Sequence, residues 1–359
     1  MGLYVRLALY ACGAVAGPVL VFLLVVALIA MVRTIRFKRK RGWLADRVPH
    51  DLPWEFYHSC SVDLDAQKVL CCLAEKVAEF KEREVDMGMF GRFENLEEKM
   101  LKVNPNGSQP TLVHDGHPVV GSEEIIRYLD DHNEGLPLLP PDSEERQEIV
   151  KWVHLCSQGP VPHLVDKNGS PFMTVGMATR VLSVPVMASA EVPTSFGTSL
   201  WVVWKHPNPF PEFNMVTKSL TRHFRRAETV PPRDTSRLCF GVLTHTFDEM
   251  EKDLDSNRRE FLVGGRFTLA DISLMAVLSR LELLGILELL LSDSHPRIQE
   301  YYGHMKKRES CRVAFSLKAS FPGLEELERC FARFRERVGD QGLVAAFRLD
   351  EDRPEEEED

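Results

Sequence analysis

The spacing of apolar residues changes several times along this chain, and each spacing predicts a different kind of element. From Leu7 to Val32, LALYACGAVAGPVLVFLLVVALIAMV runs for 26 residues without a charge, which exceeds the roughly 20 that a helix needs to cross a hydrocarbon core. This predicts one transmembrane helix over residues 7–32. A cleaved signal peptide competes with it, but the apolar core of such a peptide is about 7 to 15 residues and ends in a small-x-small site. In VALIAM, Leu28 stands where a small residue is wanted.

Beyond a basic juxtamembrane linker (33–53), the apolar positions take shorter periods. WEFYHS, from Trp54, reads as a strand of aromatic and apolar residues. Over Asp65–Phe80, the residues Val69, Leu73, Val77 and Phe80 recur at three- and four-residue intervals and predict a helix with one apolar face. KEREVDM is a second, shorter strand, and RFENLEEKMLKVNP is a helix stopped by Asn104-Pro105 and the following Asn106-Gly107. PTLVHDGHPVV predicts a hairpin around Asp115-Gly116, because Asp-Gly supplies the positive φ angles of a two-residue turn. SEEIIRYLDDH closes the unit as a helix, with Ser122 as N-cap and Glu123 and Glu124 in its first turn.

Strand, helix, strand, helix, hairpin, helix is the order of a thioredoxin-like α/β domain, here over 54–135. From Ser143 the chain reads as mostly helical, through SEERQEIVKWVHLC, RLCFGVLTHTFDEMEKDL, TLADISLMAVLSRLELLGIL and HPRIQEYYGHMKKRESCRVAF. This is an all-α domain over 143–320 with an insertion at 160–235, followed by an extra helix over 321–345 and an acidic tail at 346–359.

With 359 residues, 44% of them hydrophobic, the chain has enough apolar surface for packed cores, which excludes wholesale disorder. The net charge of −9 is misleading, because residues 350–359 carry eight acids and one base and leave the rest at about −2. The acidity belongs to a solvated tail, and no nucleic-acid partner is expected. Six bases (Arg33, Arg36, Lys38, Arg39, Lys40, Arg41) follow the apolar span and only Arg6 precedes it, so the positive-inside rule places the large C-terminal part in the cytosol. Such a single-pass anchor with a basic flank suits the endoplasmic reticulum or the mitochondrial outer membrane. Eight scattered cysteines read as reduced thiols, and without C-x-x-C, H-E-x-x-H or a Cys/His cluster no metal is predicted.

The insertion holds ten of the 22 prolines, and Pro207, Pro209 and Pro211 bar WVVWKHPNPFPEF (Trp201–Phe213) from continuing as a helix past Lys205. KSLTRHFRR (Lys218–Arg226) beyond it is basic. Two readings stand side by side: a contact with membrane or partner, or a variable loop with a solvated face.

Candidate chemistry begins at the hairpin. In a thioredoxin-like sheet, a proline at the start of the third strand removes one backbone donor, and a cis bond there would turn the preceding peptide group toward a bound peptide. Gln109-Pro110 occupies that place. Ser122, at the next helix start, offers a hydroxyl and free backbone N–H groups to a carboxylate. Equally, Pro110 simply starts a strand and Ser122 simply caps a helix.

FLVGGRFTLADISLMAVLSRL (Phe261–Leu281) sets Thr268 and Asp271 in a capping-box-like turn after Gly-Gly and before an apolar run, about 145 residues after the S-x-x-I-x-x-Y-L that begins at Ser122. Together these segments resemble the glutathione transferase superfamily over roughly residues 54–158 and 236–318. Within it, FYHSCSVDLDAQKVLCCLAEK and FTLADISLMAVLSRLELLG are similar to the ganglioside-induced differentiation-associated protein branch. That branch also carries a long insertion and a membrane anchor, at the C-terminus rather than the N-terminus.

The resemblance implies a thioredoxin-like domain joined to an all-α domain, and glutathione as substrate rather than as a resident cofactor. It implies that Gln109 and Pro110 grip the cysteinyl backbone, that Ser122 takes the γ-glutamyl carboxylate, and that Glu123 stands in for the acid that Gly121 replaces. The partner of the thiol belongs between the first strand and first helix, where Tyr57, Ser59, Cys60 and Ser61 occur. Ser61 lies farthest into that loop and is the preferred hydroxyl; Cys60 is the rival nucleophile, activated by a helix dipole. Asp63 and Asp65 depart from the pattern, because carboxylates there oppose a thiolate. An unidentified hydrophobic electrophile would sit between the domains, and a homodimer is expected from the superfamily. The implied function is membrane-anchored binding of glutathione with conjugation or reduction of small electrophiles; the alternative is a non-catalytic adaptor of the same fold at an organelle membrane.

Overall fold

The first apolar stretch forms helix α1 (Gly2–Arg36) in the computed structural model, which describes residues 2–59, 63–77, 79–89, 91–133, 137–141, 144–159, 161, 172–190, 194–210, 216, 233–257, 260–291, 295–316 and 324–340. Within α1, Gly17–Arg36 is apolar and long enough, at 20 residues, to cross a membrane, and it is largely exposed. Along the chain follow β1 (Gly42–Trp43), β2 (Trp54–His58), α2 (Leu64–Lys76), β3 (Lys81–Glu84), a 3-10 turn (Glu94–Leu96), α3 (Glu98–Val103), β4 (Thr111–His114), β5 (His117–Val120) and α4 (Ser122–His132). The helical part comprises α5 (Glu144–Leu155), α6 (Val175–Ala190), α7 (Phe196–Lys205), α8 (Arg233–Asn257), α9 (Leu269–Leu283), α10 (Leu287–Leu290), α11 (Pro296–Met305), α12 (Glu309–Phe315) and α13 (Leu324–Asp340). The chain divides into two compact units: Met1–Lys40 with Asp86–Ser108 and Val192–Arg226, and Arg41–Val85 with Gln109–Glu191 and Ala227–Asp359.

In the larger unit the strands form one sheet in the order β1-β5-β4-β2-β3, with β2 and β3 parallel and the other pairs antiparallel. The hairpin closes as its Asp-Gly pair predicts: His114 faces His117, and Asp115 and Gly116 have φ of 49° and 83°. Strand β1 was not expected, since two residues inside a basic linker are too few for alternation to register. Helix α2 packs on α4, with Val69, Leu73, Ile125 and Leu129 fully buried, and a buried ion pair of 2.9 Å joins Lys76 to Asp130.

The helical part of this unit is organised on α9, which is buried on nearly every face and packs against α2 and α5. Its capping box is formed: the Thr268 hydroxyl accepts from the Ala270 amide, and Asp271 accepts from the Thr268 amide at 2.8 Å. Asp271 also accepts from the Leu262 amide and the Tyr301 hydroxyl, both at 2.9 Å, so one carboxylate ties three segments together.

Several expected boundaries are corrected. The helix read over Asp65–Phe80 ends at Lys76, because Val77 turns extended (φ −125°, ψ 120°) so that the chain can return to β3. RFENLEEKMLKVNP does not make one helix: Glu97 is extended, and Phe93 takes a left-handed φ of 52° while its ring is buried with Leu96 and Val202. Burial of that ring overrides local propensity. HPRIQEYYGHMKKRESCRVAF breaks at Arg308, whose backbone is extended and whose guanidinium grips Glu75 at 2.6 and 2.7 Å. The insertion contributes helices α6 and α7, and α7 stops at Lys205, just ahead of the prolines. The basic stretch Lys218–Arg226 and the acidic tail 346–359 lie outside the described residues.

Candidate functional site

Three strand ends converge. The ladders pair Tyr57 with Thr111 and Thr111 with Val120. The residues that leave these pairs outward are His58-Ser59 from β2, Pro110 and Gln109 ahead of β4, and Gly121-Ser122 after β5. The sheet therefore delivers the proline, the serine and the β2–α2 loop to one edge. Helices α2 and α4 both start there, and the negative charge of Glu123 in the first turn of α4 is felt by Asp65 in the first turn of α2. Burial raises the Asp65 carboxyl, Lys68 and Arg180 lower it, and Asp63 and Glu123 raise it further.

The start of α4 is open. Ser122 is not its N-cap: Gly121 takes that position with φ 99°, a conformation that glycine tolerates, and it makes no side-chain cap hydrogen bond to the first turn among the described residues. Ser122 is the first helical residue, so the amides of this first turn have no carbonyl partner within the helix and can receive a guest. A side chain at 121 would run into the carboxylate of Glu124, which folds back over the glycine and lies 3.7 Å from Arg41. The acid nearest position 121 is thus Glu124, while Glu123 is exposed and its charge reaches Asp65. Ahead of β4, the Gln109-Pro110 bond is cis, Pro110 is buried, and the buried Oε1 of Gln109 has no hydrogen-bond partner among the described residues.

The start of α2 is closed. Asp63 caps it, accepting from the Asp65 amide at 2.9 Å and the Ala66 amide at 3.3 Å, and its second oxygen accepts the Ser59 hydroxyl at 2.8 Å. The Ser59 proton is therefore committed to a carboxylate. Tyr57 is committed too: its hydroxyl donates to Glu55 at 2.9 Å, and burial together with that bond raises its pKa. Of the candidates between strand and helix, Cys60 and Ser61 lie outside the described residues. Four cysteines of the core offer no thiolate, since burial raises Cys71 and Cys72 and brings Cys156 to about 12 and Cys239 to about 11.

Two roles at this edge, Asp63 as the cap of α2 and Glu124 as the acid beside Gly121, escaped sequence reasoning. Asp63 had a visible signal, since an Asp immediately ahead of a helical run is an ordinary cap. Glu124 had none, because its role comes from the reversed backbone at Gly121. A cavity of about 560 Å³ opens in the helical part, lined by Met275, Ser279, Glu282, Tyr302, Lys306 and Arg312 among others. None of the residues named at the sheet edge lines it.

The family profile described as Glutathione S-transferase, N-terminal domain, matches residues 66–132, and the profile of the Glutathione S-transferase, C-terminal domain, matches residues 233–304. Among curated proteins, Glutathione S-transferase TCHQD of Arabidopsis thaliana is 23% identical over 266 residues, 71% of this chain and 86% of its own. Ganglioside-induced differentiation-associated protein 1-like 1 of Homo sapiens is 24% identical over 263 residues, 69% of this chain and 70% of its own. Among solved structures, beta-etherase LigF of Sphingobium sp. strain SYK-6 superposes with a TM-score of 0.54 at 21% identity, covering 74% of this chain and 99% of its own, a likeness of fold.

Proposed function

The chain belongs to the glutathione transferase superfamily, and from that premise we propose that it binds glutathione at the common edge of β2, β4 and β5 while anchored in an organelle membrane through residues 7–32. One observation carries this reading: α4 presents an uncapped N-terminus at the same sheet edge as an unpartnered Gln109 oxygen. Ser122 and the first amides of α4 receive the γ-glutamyl carboxylate, Glu124 takes the γ-glutamyl amine, with Glu123 as its neighbour in the same turn, and Gln109 and Pro110 hold the cysteinyl backbone. The thiol then points to the β2–α2 loop, where Ser61 or Cys60 meets it. Conjugation or reduction of a small hydrophobic electrophile follows from the family's chemistry. The basic flank that follows the proposed anchor supports a site on the cytosolic face of the endoplasmic reticulum or the mitochondrial outer membrane. A homodimer accords with the superfamily.

A second reading is favoured by the cap of α2. Because Asp63 fills that helix terminus with negative charge, the dipole that would stabilise a thiolate is already spent, which suits an adaptor that binds glutathione or a partner without turnover. Retention of the detergent-solubilised full chain on immobilised glutathione is the test. Ser122→Ala and Glu124→Gln are each expected to weaken binding roughly tenfold. Absence of retention and of turnover with a general electrophile would leave the adaptor. Turnover that survives Ser61→Ala and is lost in Cys60→Ala would assign the chemistry to the thiol.

A further inference from the structure

Helix α7 lies inside the insertion, yet it is built onto the N-terminal helix. Leu200 and Val203 share one apolar cluster with Leu23, Val26 and Ala30 of α1, and Val202 is buried with Phe93 and Leu96. The remaining side carries Trp201 and Trp204, three residues apart, which are 40% and 70% exposed, with Phe210 at 46% just beyond the helix. Large aromatic rings left bare beside a largely exposed apolar helix mark a contact surface.

We propose that α7 is a second membrane contact, lying beside α1 at the cytosolic headgroup boundary with Trp201, Trp204 and Phe210 immersed in lipid. The inference rests on the reading of α1 as a membrane span. Depth is argued from hydrogen bonds. Arg33, at the end of the apolar span, donates to the carbonyls of Val203, Trp204 and His206 at 3.1, 2.8 and 2.9 Å, and Thr34 accepts from the Phe210 amide at 3.0 Å. These bonds hold the last turn of α7 at the level where the span meets its basic flank, which is where indole rings concentrate.

Length and polarity agree. Ten residues make about 15 Å of helix, too short for a hydrocarbon core of about 30 Å but suited to the boundary. Each end also has a partner within the protein. Ser195 accepts from the Thr198 amide, Ser199 donates to the Ser195 carbonyl, Thr194 bonds Ser199, and Arg33 serves the other end. A helix bordering hydrocarbon needs that closure, because water is not there to supply it. Lys205 and the bases following α1 suit anionic headgroups.

The test uses the full chain in vesicles of phosphatidylcholine and phosphatidylserine whose acyl chains carry bromine either near the headgroup or near the terminal methyl. Indole emission is compared with that of the Trp201→Phe/Trp204→Phe variant, which removes two of the five tryptophans and is checked for fold by circular dichroism. Shallow bromine is expected to quench more than deep bromine, and the double substitution to remove more than about half of the quenching. Equal quenching of both proteins overturns the proposal, and if flotation still carries the chain with the vesicles, the anchor reading stands without it. A chain that fails to float removes both. Indoles shielded from aqueous iodide but untouched by bromine overturn it in favour of a protein partner.

Discussion

Glu55 holds a full negative charge with no solvent exposure. Arg83 from β3 grips both its oxygens at 2.9 and 3.0 Å, the Tyr57 hydroxyl donates at 2.9 Å and the Asp51 amide at 2.6 Å. Burial opposes the charge, but these bonds outweigh it and draw the carboxyl down from 4.5 to about 2. A carboxyl lower in the folded than in the unfolded chain stabilises the fold fully above its unfolded value and loses that contribution as pH falls toward the folded one. Urea unfolding between pH 4.5 and about 2 is expected to lose on the order of 2 to 3 kcal/mol from this residue. Glu55→Gln, although less stable at neutral pH, is expected to show a flatter profile over that range; an unchanged slope would assign the acid sensitivity elsewhere. Nothing in WEFYHS announces the pair. The segment reads correctly as a strand, but Arg83 arrives 28 residues later and only the parallel register brings the two together.

At the scale of elements, two helix starts at one sheet edge carry opposite chemistry, since α2 is closed by a carboxylate and α4 is left open. Asp63→Ala should cost about 1 kcal/mol through loss of the cap, while Asp63→Asn keeps the cap and removes its charge. Both are expected to speed alkylation of Cys60 by iodoacetamide about threefold at neutral pH as the repulsion of a thiolate is relieved. Unaltered rates in the Asn variant would show that the carboxylate does not govern that loop. Local signals were legible here: Asp115-Gly116 marked its turn, Thr268 and Asp271 their capping box, and Pro207 the limit of α7. Signals that depend on backbone handedness were not. A serine before an amphipathic run reads as a cap, and only the positive φ of Gly121 moves Ser122 one place into the helix. The thiol partner was not legible, since the end of β2 and the loop after it carry four hydroxyl or thiol side chains within five residues (Tyr57, Ser59, Cys60, Ser61), two of them committed to carboxylates.

For the molecule as a whole, the smaller unit is assembled from three distant segments, residues 1–40, 86–108 and 192–226. Periodicity found the apolar span at one end and the proline-broken helix at the other, yet no local pattern links Arg33 to carbonyls 170 and more positions away. Arg33→Gln is expected to raise amide hydrogen exchange in α7 by roughly 10- to 100-fold, as its last carbonyls lose their charged donor. Exchange unchanged from the native chain would mean that the apolar cluster alone secures the helix.

That separation also sets a timetable for biosynthesis. Arg33 leaves the ribosome 170 residues ahead of the Val203 carbonyl, which at about 5 to 20 residues per second is an interval of roughly 10 to 30 s. On the proposed reading of α1 as an anchor, the nascent chain is tethered during that interval while the Arg33 guanidinium is served by water and phosphate oxygens. Docking of α7 displaces those temporary hosts, so completion of this unit is a late event that trails translation of everything between.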